Sequence, residues 1–275
     1  MGAPVTAASI TADLIAEQEA LDLIVAPLSD AQWQMATPSP RWRVIEQIGH
    51  LSFFDHSAAT AITDPDAFAT HRERFIAEAF SDADAADRIT LAESQAMTPA
   101  ELLIHWRTCR RELAEAAATL TDDTRVPWYG PSMSSKSFLT ARLMEAWAHG
   151  YDIVDTVGGH CVATDRLRHI AQLGFITRGW TYINRKLPIP DGDVRVDLTS
   201  PSGEAWSWGS ADATATVTGS ALDFCLVTSQ RRNLADTELV IVGDIARDWL
   251  ELAQLFAGPP TDPPPASEPP GVSTT

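Results

Sequence analysis

Cysteine is scarce. Three occur in 275 residues, Cys109, Cys161 and Cys225, widely separated and with no CxxC pair. An odd, scattered set excludes a disulfide framework and a zinc ribbon, and a reducing, cytoplasmic setting is expected. Positive charge is scarce too: 20 Lys and Arg stand against 37 Asp and Glu, a net charge of −17. Nucleic acid and anionic membrane surfaces need basic patches, so neither is an expected partner. No run approaches the roughly 18–20 apolar residues of a membrane helix. The opening MGAPVTAASITADLI has no basic n-region and no apolar h-region, so no secretory signal is expected. Met1-Gly2 with Thr6 fits the bare myristoylation pattern, but nothing basic follows to support such an anchor. Phosphate loops, a GxGxxG fingerprint and a GxSxG elbow are all missing, which removes the common nucleotide and serine-hydrolase readings.

What is present is ample apolar material, 45% of the chain, enough for a buried core. Helical spacing runs over about 9–26, 44–62, 99–120 and 138–157. Thr98, Pro99 and Glu101 form an N-terminal capping signal, and Gly158-Gly159 a stop. The segment 126–137 reads as a loop, and 63–98 as a loose connection carrying short helices. After Gly159 the pattern changes. A helix over about 165–184 precedes strands at 194–200, 204–209, 213–219 and 238–243. Pro201-Ser202-Gly203 marks a hairpin, and helices follow at 222–230 and 244–256. The expected fold class is α+β. A four-helix bundle over 1–157 precedes a smaller α/β domain over 160–258 and a proline-rich, disordered tail over 259–275.

Histidine carries the chemical information. An acid four residues before a histidine puts both on one helix face, and this occurs at Glu46/His50, Glu101/His105, Asp165/His169 and Glu145/His149. With 37 acids in 275 positions and seven histidines, about one such pair arises by chance, and ordinary helix pairing supplies others. Spacing alone therefore selects none. His50 shares a face with Phe53, Phe54, Ser57 and Ala61, the setting of a core histidine. On the fourth helix Arg142, Glu145, His149 and Asp152 form one stripe, opposite Leu139, Leu143, Trp147, Val154 and Val157. Bare periodicity favours a solvated charged stripe over one lining a cavity, without settling between them.

Two segments carry a resemblance. RWRVIEQIGHLSFFD (41–55) and ARLMEAWAHGYDI (141–153) resemble the metal-binding domain of mycothiol-dependent maleylpyruvate isomerases, a DinB-like four-helix bundle. The pattern is Trp42 eight residues before His50-Leu51, with Arg142, Glu145, His149 and Asp152 on the later helix. VTGSALDFCLVTSQRR (217–232) resembles the sterol-carrier-like domain that accompanies this bundle, and the whole chain is similar to an actinobacterial subgroup of the family. Arg41 stands where the family tends to have a small residue, and Glu46 where a shorter acid is usual. The resemblance implies metal ligands at His50, Glu145 and His149, with zinc the expected ion and other divalent metals fitting the same donors. It implies a catalytic arginine at Arg231 or Arg232 and cofactor contacts or bracing roles for Arg142 and Asp152. Trp128 and Tyr129 are candidate pocket residues, or packed loop hydrophobes.

The implied cofactor or co-substrate is mycothiol. Coordination to zinc deprotonates a thiol near neutral pH. In the isomerase the thiolate adds to an activated double bond, the resulting single bond rotates, and elimination gives the trans isomer. The same thiolate suits S-transfer. The expected activity is therefore isomerisation or S-transfer on a small electrophilic, unsaturated acid, by a monomer or homodimer. The competing expectations are a thiol-independent metal hydrolase or cyclase, and a non-enzymatic small-molecule binding module.

Overall fold

The computed structural model describes residues 4–79, 84–159 and 162–267. The chain divides into two compact units, Met1–Cys161 and Val162–Thr275. The first contains α1 (Ala7–Val25), α2 (Asp30–Trp33), α3 (Val44–Thr63), α4 (Pro65–Ala79), α5 (Ala85–Leu91), α6 (Pro99–Ala117) and α7 (Ser135–Val157). A two-stranded hairpin, β1 (Arg125–Val126) and β2 (Met133–Ser134), precedes α7.

Four long helices close a ring: α1 packs on α6 and α7, and α3 packs on α6 and α7. Leu21 and Val25 of α1, Ile45, Ile48 and Leu51 of α3, Leu102 and Trp106 of α6 and Ile153 of α7 meet in its core. The helix ends follow local chemistry. Thr98 Oγ1 accepts from the Glu101 N–H while the Glu101 carboxylate accepts from the Thr98 N–H, satisfying donors that a helix start leaves open. Gly158 ends α7 in the left-handed region, at φ +74°, where a side chain would be strained.

Helix α7 is buried on both arcs. Leu139, Leu143, Trp147 and Val154 are in the core, and Arg142, His149 and Asp152 are no more than 7% exposed. Apart from Glu145, the charged stripe is therefore withdrawn from solvent, because α3 covers the side that α1 leaves open.

Two local expectations are corrected in this unit. The segment 63–98 contains a 15-residue helix, α4, as well as α5 and a 3-10 turn at Ser94–Ala96. Of the described α4 residues only Phe68 and Ala79 are buried, so the stretch carries little apolar periodicity. The segment 126–137 is not all loop: it includes part of the hairpin and the first turn of α7. Strands of two residues are too short to show alternation.

The second unit contains α8 (Leu167–Ile176), α9 (Arg178–Asn184), β3 (Val194–Thr199), β4 (Ala205–Trp208), β5 (Ala215–Ser220), α10 (Ala221–Thr228), β6 (Val240–Val242) and α11 (Asp244–Leu252). The sheet order is β4-β3-β5-β6, with β3 and β5 parallel and the outer pairs antiparallel. Helices α8 and α10 pack together, and α11 packs on β5 and β6. Gly203, at φ +89°, turns the β3–β4 hairpin. The single helix expected over 165–184 is two. Thr177 separates them, its hydroxyl donating back to the Leu173 and Gly174 carbonyls, a local bond that competes with helix continuation.

The expected disorder from residue 259 is also corrected for 259–267. Thr261 bonds to Gln254 and Gln230, the Asn233 amide donates to the Pro264 carbonyl, and the Ser267 N–H donates to Asp236. The remainder of that tail lies outside the described residues.

Candidate metal centre

His50 lies on α3, and Glu145 and His149 lie one turn apart on α7. One nitrogen of each imidazole and one carboxylate oxygen all fall within 4.8 Å of one another. Glu145 Oε2 is 3.4 Å from His50 Nε2 and 3.1 Å from His149 Nε2. A tetrahedral zinc site with bonds of about 2.0–2.1 Å separates its donors by about 3.4 Å, so this spacing fits an ion of that size. Side-chain exposures of 17% for His50, 25% for Glu145 and 9% for His149 leave the group open to solvent at one edge.

The protonation states fit as well. Burial pushes the His50 imidazole down to about 4, so its ring is neutral at pH 7. Burial pushes Glu145 up, but its contacts with the His149 and His50 rings hold it well below the usual carboxylate range. A neutral imidazole and an ionised carboxylate are the forms that bind a divalent cation.

Gln47, one turn before His50 on α3, orients His149. Its side-chain Nε2 donates to Thr37 Oγ1 at 2.8 Å and to Asp152 Oδ2 at 3.4 Å. A carboxylate only accepts, so the amide nitrogen faces Asp152 and the amide oxygen faces His149. Gln47 Oε1 thus accepts from the His149 Nδ1–H, which leaves the Nε2 lone pair directed at the cluster. Asp152 is fixed in turn by the Ser39 hydroxyl at 2.9 Å. Sequence reasoning missed Gln47. Its one signal is a polar residue within the apolar run VIEQIGHL. Replacing Gln47 with leucine is expected to weaken metal affinity by about 10–100-fold, the usual effect of losing an orienting partner. Titration against a chromogenic chelator measures this, and an affinity within twofold of wild type removes Gln47 from the site.

Trp42 covers the imidazoles. Its ring is 4.9 Å from His50 and stacks on His149 at 5.7 Å, and its Nε1–H donates to Asp87. The preceding residue, Arg41, has φ +71° and its guanidinium is held by Asp84 and Asp87. Those carboxylates brace an otherwise unfavourable turn.

The other expected residues separate into groups. Arg142 braces a carboxylate inside the bundle: its Nη2 donates to Asp55 Oδ1 at 3.0 Å, with the two side chains 5% and 1% exposed. Trp128 stacks on Phe68 at 5.7 Å. The Tyr129 hydroxyl contacts His71 Nε2 at 2.8 Å and donates to Ser57 Oγ at 3.1 Å. Glu46, four residues before His50, is engaged by the Arg43 N–H and guanidinium. Arg231 and Arg232 lie in the second unit, where their N–H groups donate to the Leu226 carbonyl beyond the end of α10.

The chain's own described thiols are poor nucleophiles. Burial pushes the Cys109 thiol up to about 12 and the Cys225 thiol well above its ordinary range. Cys161 lies outside the described residues.

The family model of the mycothiol maleylpyruvate isomerase N-terminal domain matches residues 14–154, just over half of the chain. The chain belongs to this family. Two uncharacterized proteins of Mycobacterium tuberculosis, from strains H37Rv and CDC 1551, are each 46% identical over 249 residues, covering 90% of this chain and 95% of theirs. Among solved structures, a mycothiol-dependent maleylpyruvate isomerase superposes with a TM-score of 0.55 at 15% identity, covering 82% of this chain and 90% of that one. A histidine-to-alanine mutant of that enzyme gives 0.54. At that identity the likeness concerns the fold. The family link covers all three proposed metal ligands, since His50, Glu145 and His149 fall within the matched span. Among the described residues no helix is long and apolar enough to cross a membrane.

Proposed function

We propose that this chain is a metal-dependent enzyme that holds a divalent ion, zinc by preference, with His50, Glu145 and His149. In this reading it uses a low-molecular-weight thiol, mycothiol, as cofactor or co-substrate for isomerisation or S-transfer on a small electrophilic, unsaturated acid. The observation that carries this is the convergence of two imidazoles and one carboxylate from α3 and α7, at donor spacings of 3.1 and 3.4 Å.

When bound, the ion supplies the positive charge that keeps a thiol ionised near neutral pH, and the thiolate is the nucleophile for an activated double bond. The protein residues set up that chemistry. Three protein ligands with nitrogen and oxygen donors leave one position for an exogenous group, the pattern of catalytic rather than structural zinc. Gln47 fixes the tautomer and plane of His149, with Asp152 holding Gln47. Trp42 lies over both imidazoles and limits water around them. A guanidinium grips a substrate carboxylate or developing enolate best in bidentate fashion, the role the family resemblance implies for Arg231 or Arg232.

The deciding experiment supplies or omits the thiol. Metal-loaded protein is incubated with unsaturated acids, with and without mycothiol, and isomers and S-conjugates are read by mass and chromatography. Turnover that requires both metal and thiol is expected. Turnover undiminished without thiol would show a hydrolase or cyclase instead.

A further inference from the structure

The metal ligands adjoin a continuous aromatic surface. Phe54, one turn beyond His50 on α3, places its ring 4.6 Å from that imidazole. The same ring is 5.6 Å from Tyr129 and 6.1 Å from Trp128. These rings differ from the core aromatics beneath them. Phe68 and Phe138 are 0% and 1% exposed, whereas Trp42, Phe54, Trp128 and Tyr129 are all only half-buried. Each therefore keeps some surface that the bundle does not cover, with Phe54 linking Trp128 and Tyr129 to His50.

This surface is held rigidly. Trp128 is stacked on Phe68 with an interplanar angle of 4° and meets Phe138 edge-on at 5.1 Å. The Tyr129 hydroxyl is tied to His71 on α4 and Ser57 on α3. Arg72 reaches the Trp128 carbonyl at 3.4 Å. The tip of the β1–β2 hairpin is thereby fixed on two helices. Nearby cations are already engaged: Arg142 with Asp55, and Arg41 with Asp84 and Asp87. This wall offers planar apolar contact, with guanidinium charge neutralised by neighbouring carboxylates.

Resting on the proposed function above, we infer that the electrophile taken by this site carries a flat apolar group, such as an aryl ring, on the double-bond carbon remote from the carboxylate. That group lies against Phe54, Trp128 and Tyr129, while the unsaturated acid end faces the metal ligands. Aromatic pairs add attraction beyond their buried area, so the ring, and not a second carboxylate, sets selectivity.

The test compares trans-cinnamate with crotonate, which share the unsaturated acid and differ by a phenyl ring against a methyl group. Calorimetric titration of the full metal-loaded chain reads affinity without requiring turnover. Cinnamate is expected to bind about tenfold more tightly than crotonate, with that preference lost in Phe54→Ala. Phe54→Leu, which keeps most of the side-chain volume, serves if the alanine variant does not fold, and is expected to lose most of the preference. Equal affinity for the two acids in wild type, or a preference that survives replacement of Phe54, overturns the inference. Metal content of the same samples, with His50→Ala alongside, separates the two ideas. Metal retained by His50→Ala sinks the ligand assignment and leaves the ring preference standing.

Discussion

His50→Ala and His149→Ala are each expected to reduce bound metal from about one ion per chain to near none, and with it thiol-dependent turnover. Each substitution removes one of three proposed donors, so the expected loss exceeds the ~10–100-fold penalty for an orienting residue such as Gln47. Stability gives an independent readout. An ion that binds only the folded chain stabilises it by about 2.7 kcal/mol when present at 100 times its dissociation constant. A chelator should therefore lower the melting temperature of wild type and leave both variants unmoved. His105→Ala is the control: its Nε2 lies 3.9 Å from Glu93 and near Cys109, outside the cluster. If wild type melts at the same temperature with and without chelator while elemental analysis finds no metal, the centre is not one.

The second large effect is on stability. Asp55 accepts from Arg142 at 3.0 Å, from Gln18 at 2.9 Å and from Trp106 at 3.3 Å, tying α3 to α7, α1 and α6. Asp55→Ala strands a guanidinium that is only 5% exposed. Breaking one partner of a buried pair costs about 3–5 kcal/mol, which for a unit of this size is a drop of roughly 6–20 °C in melting temperature. The double variant Asp55→Leu with Arg142→Met is expected to recover most of it, because replacing both partners with apolar groups removes the stranded charge. Thermal denaturation followed by circular dichroism measures both. A loss below 1 kcal/mol in Asp55→Ala would show that water reaches Arg142. The pair also bears on the site, since Arg142 lies one turn before Glu145 on α7 and a shift there moves two proposed ligands.

Much of the architecture was legible without coordinates. Helices α3, α6 and α7 begin and end within a few residues of their expected bounds, because caps, prolines and glycines act through local backbone chemistry. The β3–β4 hairpin follows for the same reason. The short hairpin before α7 and the break at Thr177 were not legible. One has too few residues to show a period, and the other depends on side-chain bonds to its own helix.

The candidate centre divides along the same line. Helical geometry by itself put Glu145 and His149 on one face, since a separation of four residues is nearly one turn. The sequence also supplied the family pattern that singled out His50 among four equivalent acid–histidine pairs. Only the tertiary structure decided that α3 lies against α7, so that residues almost a hundred positions apart converge and Arg142, His149 and Asp152 of the α7 stripe are buried rather than solvated. Gln47 and Asp55 came from the same source. A periodic pattern records which side chains share a face, whereas what that face meets depends on packing between distant segments, and no local signal encodes it.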